Sequence, residues 1–170
     1  MADTDLYETD ILAWSEQQVS ALRELASLCD LPNALDLPHV LEEIEGLGLS
    51  ELHSVQSFIQ LILRHAAKCV IDRDAPSLRH WHVEINNWQS ELERRFSQSM
   101  RRRIDMDSLW TRAARQAELD LLEQQRDTEC VRKAQDLRGM ACPISLDDLL
   151  SDPTDPVGLV QRVDQGLSSR

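Results

Sequence analysis

One long amphipathic pattern runs through the second quarter of the chain and constrains the fold more than any other feature. Apolar or small residues recur there at steps of three or four, which is the period of one face of an α-helix. They are Leu37, Leu41, Ile44, Gly48, Leu52, Val55, Ile59, Ile62, Ala66 and Cys69. The pattern predicts one helix, continuous through Gly46 and Gly48 to about Ile71. A glycine on the buried face, Gly48, would let a neighbouring backbone approach closely.

Shorter patterns with helix-capping residues predict the other helices. The predicted spans are Asp10 to about Cys29, Leu78 to about Met100, Leu109 to Gly139, and a short turn from Leu146 to Leu150 capped by Ser145. Glycine and proline are sparse and runs of β-branched residues are missing, so a sheet is not expected. The sequence therefore predicts an all-α fold, an antiparallel bundle of four main helices with a short C-terminal helical appendage.

The domain organisation follows from length and from the composition of the last residues. A chain of 170 residues fits one domain with its own core. Beyond Ser151, Asp-Pro pairs, glycine and serine favour an irregular segment. We expect a single helical domain over residues 1–153 and a loosely ordered C-terminal tail over residues 154–170.

The charge of −12 is distributed unevenly and limits the partners of the chain. Residues 1–60 hold twelve acidic residues and one arginine, whereas residues 61–140 carry a net charge of +2. Such acidity repels nucleic acid and anionic membranes, and the longest apolar run, Leu61 to Leu63, is too short to span a bilayer. The acidic start differs from a signal peptide, and the four cysteines are widely spaced. We expect a cytoplasmic protein with reduced thiols.

The acidic block from Leu41 to Gly48 contains the candidate metal ligands. Glu42 and Glu45 are three residues apart on the predicted helix, a spacing at which two carboxylates can share a divalent cation. Helical nucleotide pyrophosphatases use such pairs, which makes a metal-dependent hydrolase of a nucleotide or phosphoester the alternative function. However, those enzymes need a second acidic pair on another helix. The C-terminal end of this helix offers only Asp72, with Asp74 in the turn after it, which is a poor match. The other interpretation is a solvated acidic rim beside the apolar stripe.

His65 is the third candidate ligand, because it falls within the apolar arc of the long helix. A ferritin-like centre needs Glu-x-x-His on two helices, and no histidine of this chain has a glutamate three residues before it. The favoured interpretation of His65 is a hydrogen-bonded core residue. We accordingly expect no cofactor, no catalytic residue and no bound metal, with Glu42, Glu45 and His65 as the candidates if a metal binds.

A basic cluster between Arg94 and Arg103 offers a second alternative, nucleic-acid binding. Five arginines occur there, but Glu91 and Glu93 interleave with them. The last three also lie where cations offset the negative end of a helix dipole. Nucleic acid is therefore not the expected partner.

Several segments resemble a bacterial family known only as domain of unknown function 29. The most specific is the block Leu35-Asp36 through Leu41-Glu42-Glu43-Ile44-Glu45-Gly46-Leu47-Gly48 to Glu51. The others are Tyr7 to Asp10 with Trp14, Gln18, Leu22 and Arg23; Leu63-Arg64-His65-Ala66-Ala67-Lys68; Ser77 with Trp81 and Ile85; Cys142-Pro143; and Leu149-Leu150. The resemblance extends to about residue 153. It implies an all-α bacterial domain and supplies no activity and no catalytic residue.

The chain departs from the family pattern at two positions. Cys69 stands where the family often has tryptophan, and Leu49 stands where a basic residue is usual.

Since apolar stripes and caps account for most residues, we expect a non-catalytic protein–protein interaction module, able to self-associate, rather than an enzyme.

Overall fold

The structure, a computed structural model, describes residues 4–123, 127–151 and 153–169, and these residues form helices and no strands. The α-helices are α1 (Thr4–Thr9), α2 (Ile11–Leu28), α3 (Leu37–Ile71), α4 (Leu78–Arg95), α5 (Met106–Glu123), α6 (Thr128–Arg138), α7 (Leu146–Leu149) and α8 (Pro156–Ser168). A 3-10 helix covers Gln98–Arg103. The all-α prediction is confirmed. The four-helix antiparallel arrangement stays a prediction.

The chain divides into two compact units. The first comprises Met1–Val55 and Arg95–Ile104, and the second comprises Gln56–Arg94 and Asp105–Arg170. Helix α3 contributes residues to both, and it is continuous through Gly46 and Gly48, as the apolar register predicts. The predicted domain over residues 1–153 and tail over residues 154–170 stay a prediction as domain boundaries.

Asp10 organises the start of the first unit. Its side chain caps α2 by accepting a hydrogen bond from the backbone N–H of Ala13 at 3.0 Å. The same carboxylate accepts bonds from the hydroxyls of Ser97 and Ser99 and from the backbone N–H of Ser99. Burial raises the pKa of Asp10, but the hydrogen bonds from Ser99, Ala13 and Ser97 outweigh it and leave that pKa below its ordinary value. One side chain thus joins α2 to the 3-10 helix.

Helices α2 and α3 form a hairpin that closes tightly at Gly48. A Cβ added to Gly48 would lie 2.1 Å from Ser15 Oγ and 3.0 Å from Leu12 Cα. Leu12, Ser15 and Val19 are the buried residues of α2. The expected close approach of a neighbouring backbone at Gly48 is therefore confirmed, since no larger residue fits without a shift.

The second unit holds the larger core. Its most buried large side chains are Ile59, Ile62, Leu63, Ile71, Ile85, Leu92, Trp110, Leu121, Leu137 and Ile144. Trp110 is fully buried, and its indole N–H donates to the carbonyl of Leu137, which ties α5 to α6. Alanines on α5 at Ala113, Ala114 and Ala117 are also buried, so neighbouring helices can pack closely against this face.

Two predicted helix boundaries are wrong. The third predicted helix was expected to reach Met100, but α4 ends at Arg95 and Ser97 is extended before the 3-10 helix begins. The single fourth helix expected from Leu109 to Gly139 is two helices, because Asp127 is extended and its carboxylate caps α6 through the N–H of Cys130 at 2.8 Å. Residues 124–126, within the predicted span, lie outside the described residues.

The C-terminal segment differs from the expected loose tail because it contains helix α8. Asp155 caps this helix by accepting from the N–H of Gly158, and Pro156 occupies the first helical turn. Leu159 and Val163, four residues apart, are buried on one side. The short appendage is confirmed: Ser145 caps α7 in a capping box with Asp148.

Candidate functional site

The acidic block of α3 faces solvent in the first unit. Glu42, Glu43 and Glu45 are all exposed, and none of their carboxylates has a hydrogen bond or ion pair with another residue that the structure describes. Other carboxylates of this unit are paired: Glu51 bonds Arg95 at 3.1 Å and Glu16 bonds Arg103 at 2.9 Å. The carboxylates of the acidic block are therefore not neutralised by any described residue of the first unit.

The three candidate metal ligands fall in different units. Glu42 and Glu45 belong to the first unit, whereas His65 belongs to the second. Within residues 4–123, 127–151 and 153–169, no group of three or more histidine, cysteine, aspartate or glutamate side chains is arranged to hold a metal ion. The geometry of the described residues thus offers no assembled metal centre around these glutamates.

The end of the α2–α3 hairpin has no core of its own. All residues from 20 to 47 are described, and none of them is buried, although Val19 before them and Gly48 after them are. Five large apolar side chains in this stretch are exposed: Leu25, Leu28, Leu35, Val40 and Leu47. We call these five residues the hairpin surface. Leu28 is the most open of them, at 75% exposed.

The register of the two helices explains this exposure. The facing stripe continues from Gly48 toward the turn through Leu37, Leu41 and Ile44, yet these side chains are only half-buried. Leu22 and Ala26 of α2 are half-buried as well. Two helices alone cannot enclose an apolar stripe, because each can cover only one side of the other.

His65 packs as a neutral core residue of the second unit. Its Nδ1–H donates to the carbonyl of Leu61 at 3.0 Å, and its ring meets the edge of Trp88 with centroids 4.7 Å apart. Burial is the largest cause that lowers the pKa of His65, to about 4, and the nearby charges of Lys68 and Arg64 lower it further. This geometry agrees with the favoured interpretation of a hydrogen-bonded core histidine.

A charged network lies beside His65 and was not anticipated from the sequence. Arg64 donates two hydrogen bonds to the carboxylate of Asp120, at 2.8 and 2.6 Å. Lys68, only 7% exposed, has its Nζ 3.6 Å from the same carboxylate and 4.6 Å from the ring centre of Trp81. Asp120 therefore neutralises two cations on α3 from its place on α5.

The arginines between Arg94 and Arg103 are mostly engaged by neighbouring side chains. In the second unit, Arg94 pairs with Glu91. In the first unit, Arg95 and Arg103 pair with Glu51 and Glu16, and the guanidinium of Arg101 lies 5.7 Å from the ring centre of Phe96. The structure thus directs three of these five cations to carboxylates of the chain, which weakens the nucleic-acid alternative.

The second unit also has open clefts. One of about 570 Å³ lies between α7 and α8 and is lined by Asp147, Asp148, Asp155, Arg162 and neighbours. Arg162 there pairs with Asp148 at 2.9 Å. A smaller one of about 300 Å³ is lined mainly by apolar atoms, with His82 at its wall. Cys69 and His82 both line this smaller cleft, but no hydrogen bond joins these two side chains.

Sequence reasoning missed the exposed hairpin and the Asp120 network for different reasons. The apolar spacing of Leu22, Leu37, Leu41 and Ile44 predicts a covered stripe, but spacing does not reveal how much protein covers it. Asp120 lies far along the chain from Arg64, so the pairing has no local signal. An available signal for the hairpin was Leu28 and Leu47, which lie off the apolar stripes.

Comparison with known proteins gives a family and a fold. The family model described as domain of unknown function DUF29 matches residues 6–153. A crystal structure of an alpha-helical protein of unknown function from Rhodospirillum rubrum is similar with a TM-score of 0.77 and 30% identity, covering 92% of this chain and 96% of that chain. No curated protein matches the chain. Among the helices described, none combines the length and apolar character needed to cross a membrane. Because the model matches most of its length, the chain belongs to the family of domain of unknown function DUF29.

Proposed function

We propose that this chain is a non-catalytic protein–protein interaction module that binds its partner through the hairpin surface. The observation that carries the proposal is the stretch from residue 20 to residue 47, in which no residue is buried and five large apolar side chains are exposed. Single exposed leucines are ordinary. Five on one hairpin are the kind of apolar concentration that marks an interaction site.

Covering the hairpin surface supplies part of the free energy that a partner needs to bind. Fully covering one leucine side chain contributes about 1.5–3 kcal/mol. Leu28 is 75% exposed and Leu47 is 51% exposed, so a partner that covers both side chains gains part of this free energy from each. Apolar anchors at helical spacing are the usual contacts when a helix binds in an apolar groove.

The histidine, cysteine and charged side chains described below are held by packing and ion pairs within the second unit, which supports a non-catalytic role. His65 is held neutral by its lowered pKa, and Arg64 and Lys68 are neutralised by Asp120. Burial raises the pKa of the Cys69 thiol to about 12 and that of the Cys142 thiol to about 11, so neither is a ready nucleophile. Each of these groups is better explained by packing than by a reaction.

The exposed thiol of Cys29 beside Leu28 allows a direct test of the proposal. Cys69 and Cys130 are buried, and burial raises the pKa of the half-buried Cys142 thiol to about 11, so a maleimide photo-cross-linker attaches preferentially at Cys29. The labelled full chain, illuminated in extract of its source cells, should give a discrete adduct identified by mass spectrometry. The identified protein, purified, should then bind the unlabelled chain in calorimetry, and the double variant Leu25→Ser, Leu28→Ser should abolish that binding.

A matched label supplies the control. In a Cys29→Ser background, a cysteine introduced at Leu119, an exposed leucine of α5, should not give the same adduct. An equal yield from both labels would overturn the proposal. So would saturable stabilisation by Mg²⁺ or Mn²⁺ that is lost in Glu42→Gln, Glu45→Gln, because that result favours the metal-dependent hydrolase.

Self-association and location complete the proposal. An adduct with twice the mass of the chain would identify a second copy as the partner. The bacterial cytoplasm is the proposed setting, in keeping with the interpretation of the four cysteines as reduced thiols.

A further inference from the structure

We infer that the partner of the hairpin surface is a cationic amphipathic helix of another protein, with apolar residues on one face and lysine or arginine beside them. This inference rests on the proposed function and adds the chemistry of the partner. It follows from the charges that surround the exposed leucines and from their spacing along α2 and α3.

Most acidic groups of the hairpin have no ion-pair partner among the residues that the structure describes. Residues 20–47 contain six acidic residues and one arginine, a net charge of −5. Asp36 is hydrogen-bonded to His39 at 2.6 Å. The other five carboxylates are exposed, and none has an ion pair or hydrogen bond with a described residue; they are Glu24, Asp30, Glu42, Glu43 and Glu45. Nearby cations of a partner would be attracted to this region.

The acidic and apolar side chains alternate along the same helix face. Val40, Glu43 and Leu47 follow one another at steps of three and four, so they share one face of α3. On α2, Glu24 precedes Leu28 by one turn and Leu25 by one residue. A helix that places leucines over Val40 and Leu47 must bring a side chain to Glu43. That side chain is best a lysine or arginine, whose apolar stem packs while its charge meets the carboxylate.

The same charges disfavour other occupants. A second copy presents the same net charge of −5 over this hairpin, so the two hairpins repel one another at low ionic strength. Nucleic acid and anionic membranes are repelled for the same reason. An uncharged apolar partner over Val40 and Leu47 would leave the carboxylate of Glu43 beside a desolvated interface, which is costly. A cationic helix satisfies both the apolar and the acidic part of the surface.

A synthetic peptide tests this chemistry on the full chain. The probe is a fluorescein-labelled helix of about 18 residues with leucines at steps of three and four and lysines on the remaining positions. Two matched peptides accompany it: a scramble of equal composition without an apolar face, and a version with glutamate in place of lysine. Fluorescence anisotropy should show the amphipathic lysine peptide binding at least about tenfold more tightly than either.

Variants of the chain assign the binding to the hairpin. Leu25→Ser, Leu28→Ser should weaken the lysine peptide by about tenfold or more, and Glu42→Gln, Glu43→Gln, Glu45→Gln should weaken it by about tenfold and flatten its salt dependence. The control variant Val83→Ser, Leu119→Ser removes exposed apolar residues of the second unit and should leave affinity within about twofold. Circular dichroism verifies that each variant keeps its helix content.

Four outcomes would overturn the inference. Equal binding of the scrambled peptide would mean attraction by charge alone. Preference for the glutamate peptide would mean that the partner is not cationic. Unchanged affinity in the Leu25→Ser, Leu28→Ser variant would mean that the peptide binds elsewhere than the hairpin surface. If the photo-cross-linked partner of Cys29 binds through a neutral or acidic segment, the interaction module stands and the cationic helix is wrong. Absence of any specific adduct at Cys29 instead contradicts the proposed function itself.

Discussion

At the scale of single residues, His65 predicts a pH dependence of stability. Its pKa is lowered from 6.5 to about 4, chiefly by burial. Above pH 6.5 the ring is neutral in both the folded and the unfolded chain. As the pH falls from 6.5 toward 4, the unfolded chain binds a proton and the folded chain does not, so the free energy of unfolding decreases. After allowance for the partial exposure of the ring, we expect a loss of about 1–2 kcal/mol.

The measurement is urea unfolding at several pH values between 7.5 and 4.5, for the parent chain and for His65→Gln. The difference in stability between the two should shrink or reverse as the pH falls, because only the parent carries this histidine. His80→Gln changes an exposed histidine of the same unit and should retain the parent dependence. A parallel decline of the parent and His65→Gln would show that His65 is protonated in the folded chain.

Asp120 predicts a large effect from a single partly buried carboxylate. Asp120→Asn leaves Arg64 and the nearly buried Lys68 without their counter-ion, and breaking a buried ion pair costs about 3–5 kcal/mol. Because Arg64 is partly exposed, we expect about 2–4 kcal/mol by chemical denaturation. Glu129→Gln, which removes an exposed i,i+4 pair with Lys133, is the control and should cost under about 0.5 kcal/mol. Equal losses would mean that solvent screens the Asp120 network.

At the scale of elements, two glycines of α3 predict effects of opposite sign. Gly46→Ala meets nothing within 4 Å, so it should stabilise the helix by up to about 1 kcal/mol. Gly48→Ala places a Cβ 2.1 Å from Ser15 Oγ and 3.0 Å from the Leu12 backbone, so it should destabilise by about 1–3 kcal/mol. Thermal and urea unfolding measure both. Ser15→Ala removes the nearest atom and should reduce the Gly48→Ala cost; similar effects of the two glycine changes would refute the close contact.

The elements also show how far sequence reasoning extends. Helix α3 was predictable because its apolar register is unbroken over its length, and α2 because Asp10 is a strong cap. The break at Asp127 was missed because apolar spacing continues to Val131, whereas capping by Asp127 competes locally with helix continuation. Helix α8 was missed because Asp-Pro pairs, glycine and serine favour an irregular segment, although Asp155-Pro156 also suits the start of a helix.

At the scale of the whole molecule, the net charge and the exposed apolar side chains have opposite effects on self-association. The acidity and the candidate glutamates can be read directly from the sequence. The exposure of the hairpin depends on how many helices pack against it, and composition does not determine that number. At neutral pH the net charge of −12 opposes the association of two copies, whereas the exposed leucines of the hairpin surface favour it. The balance between these two contributions should be adjustable by salt.

Salt therefore provides the last prediction. At about 50 mM salt and pH 7.5 the chain should be monomeric by light scattering, and at about 500 mM salt, where charges beyond a few Å are screened, it should begin to self-associate through the exposed leucines. Leu25→Ser, Leu28→Ser should remain monomeric at both, whereas Val83→Ser, Leu119→Ser should behave as the parent. A stable dimer at low salt would mean that attraction between hairpins exceeds their repulsion, and the second copy would then replace the cationic helix as the occupant of the hairpin surface.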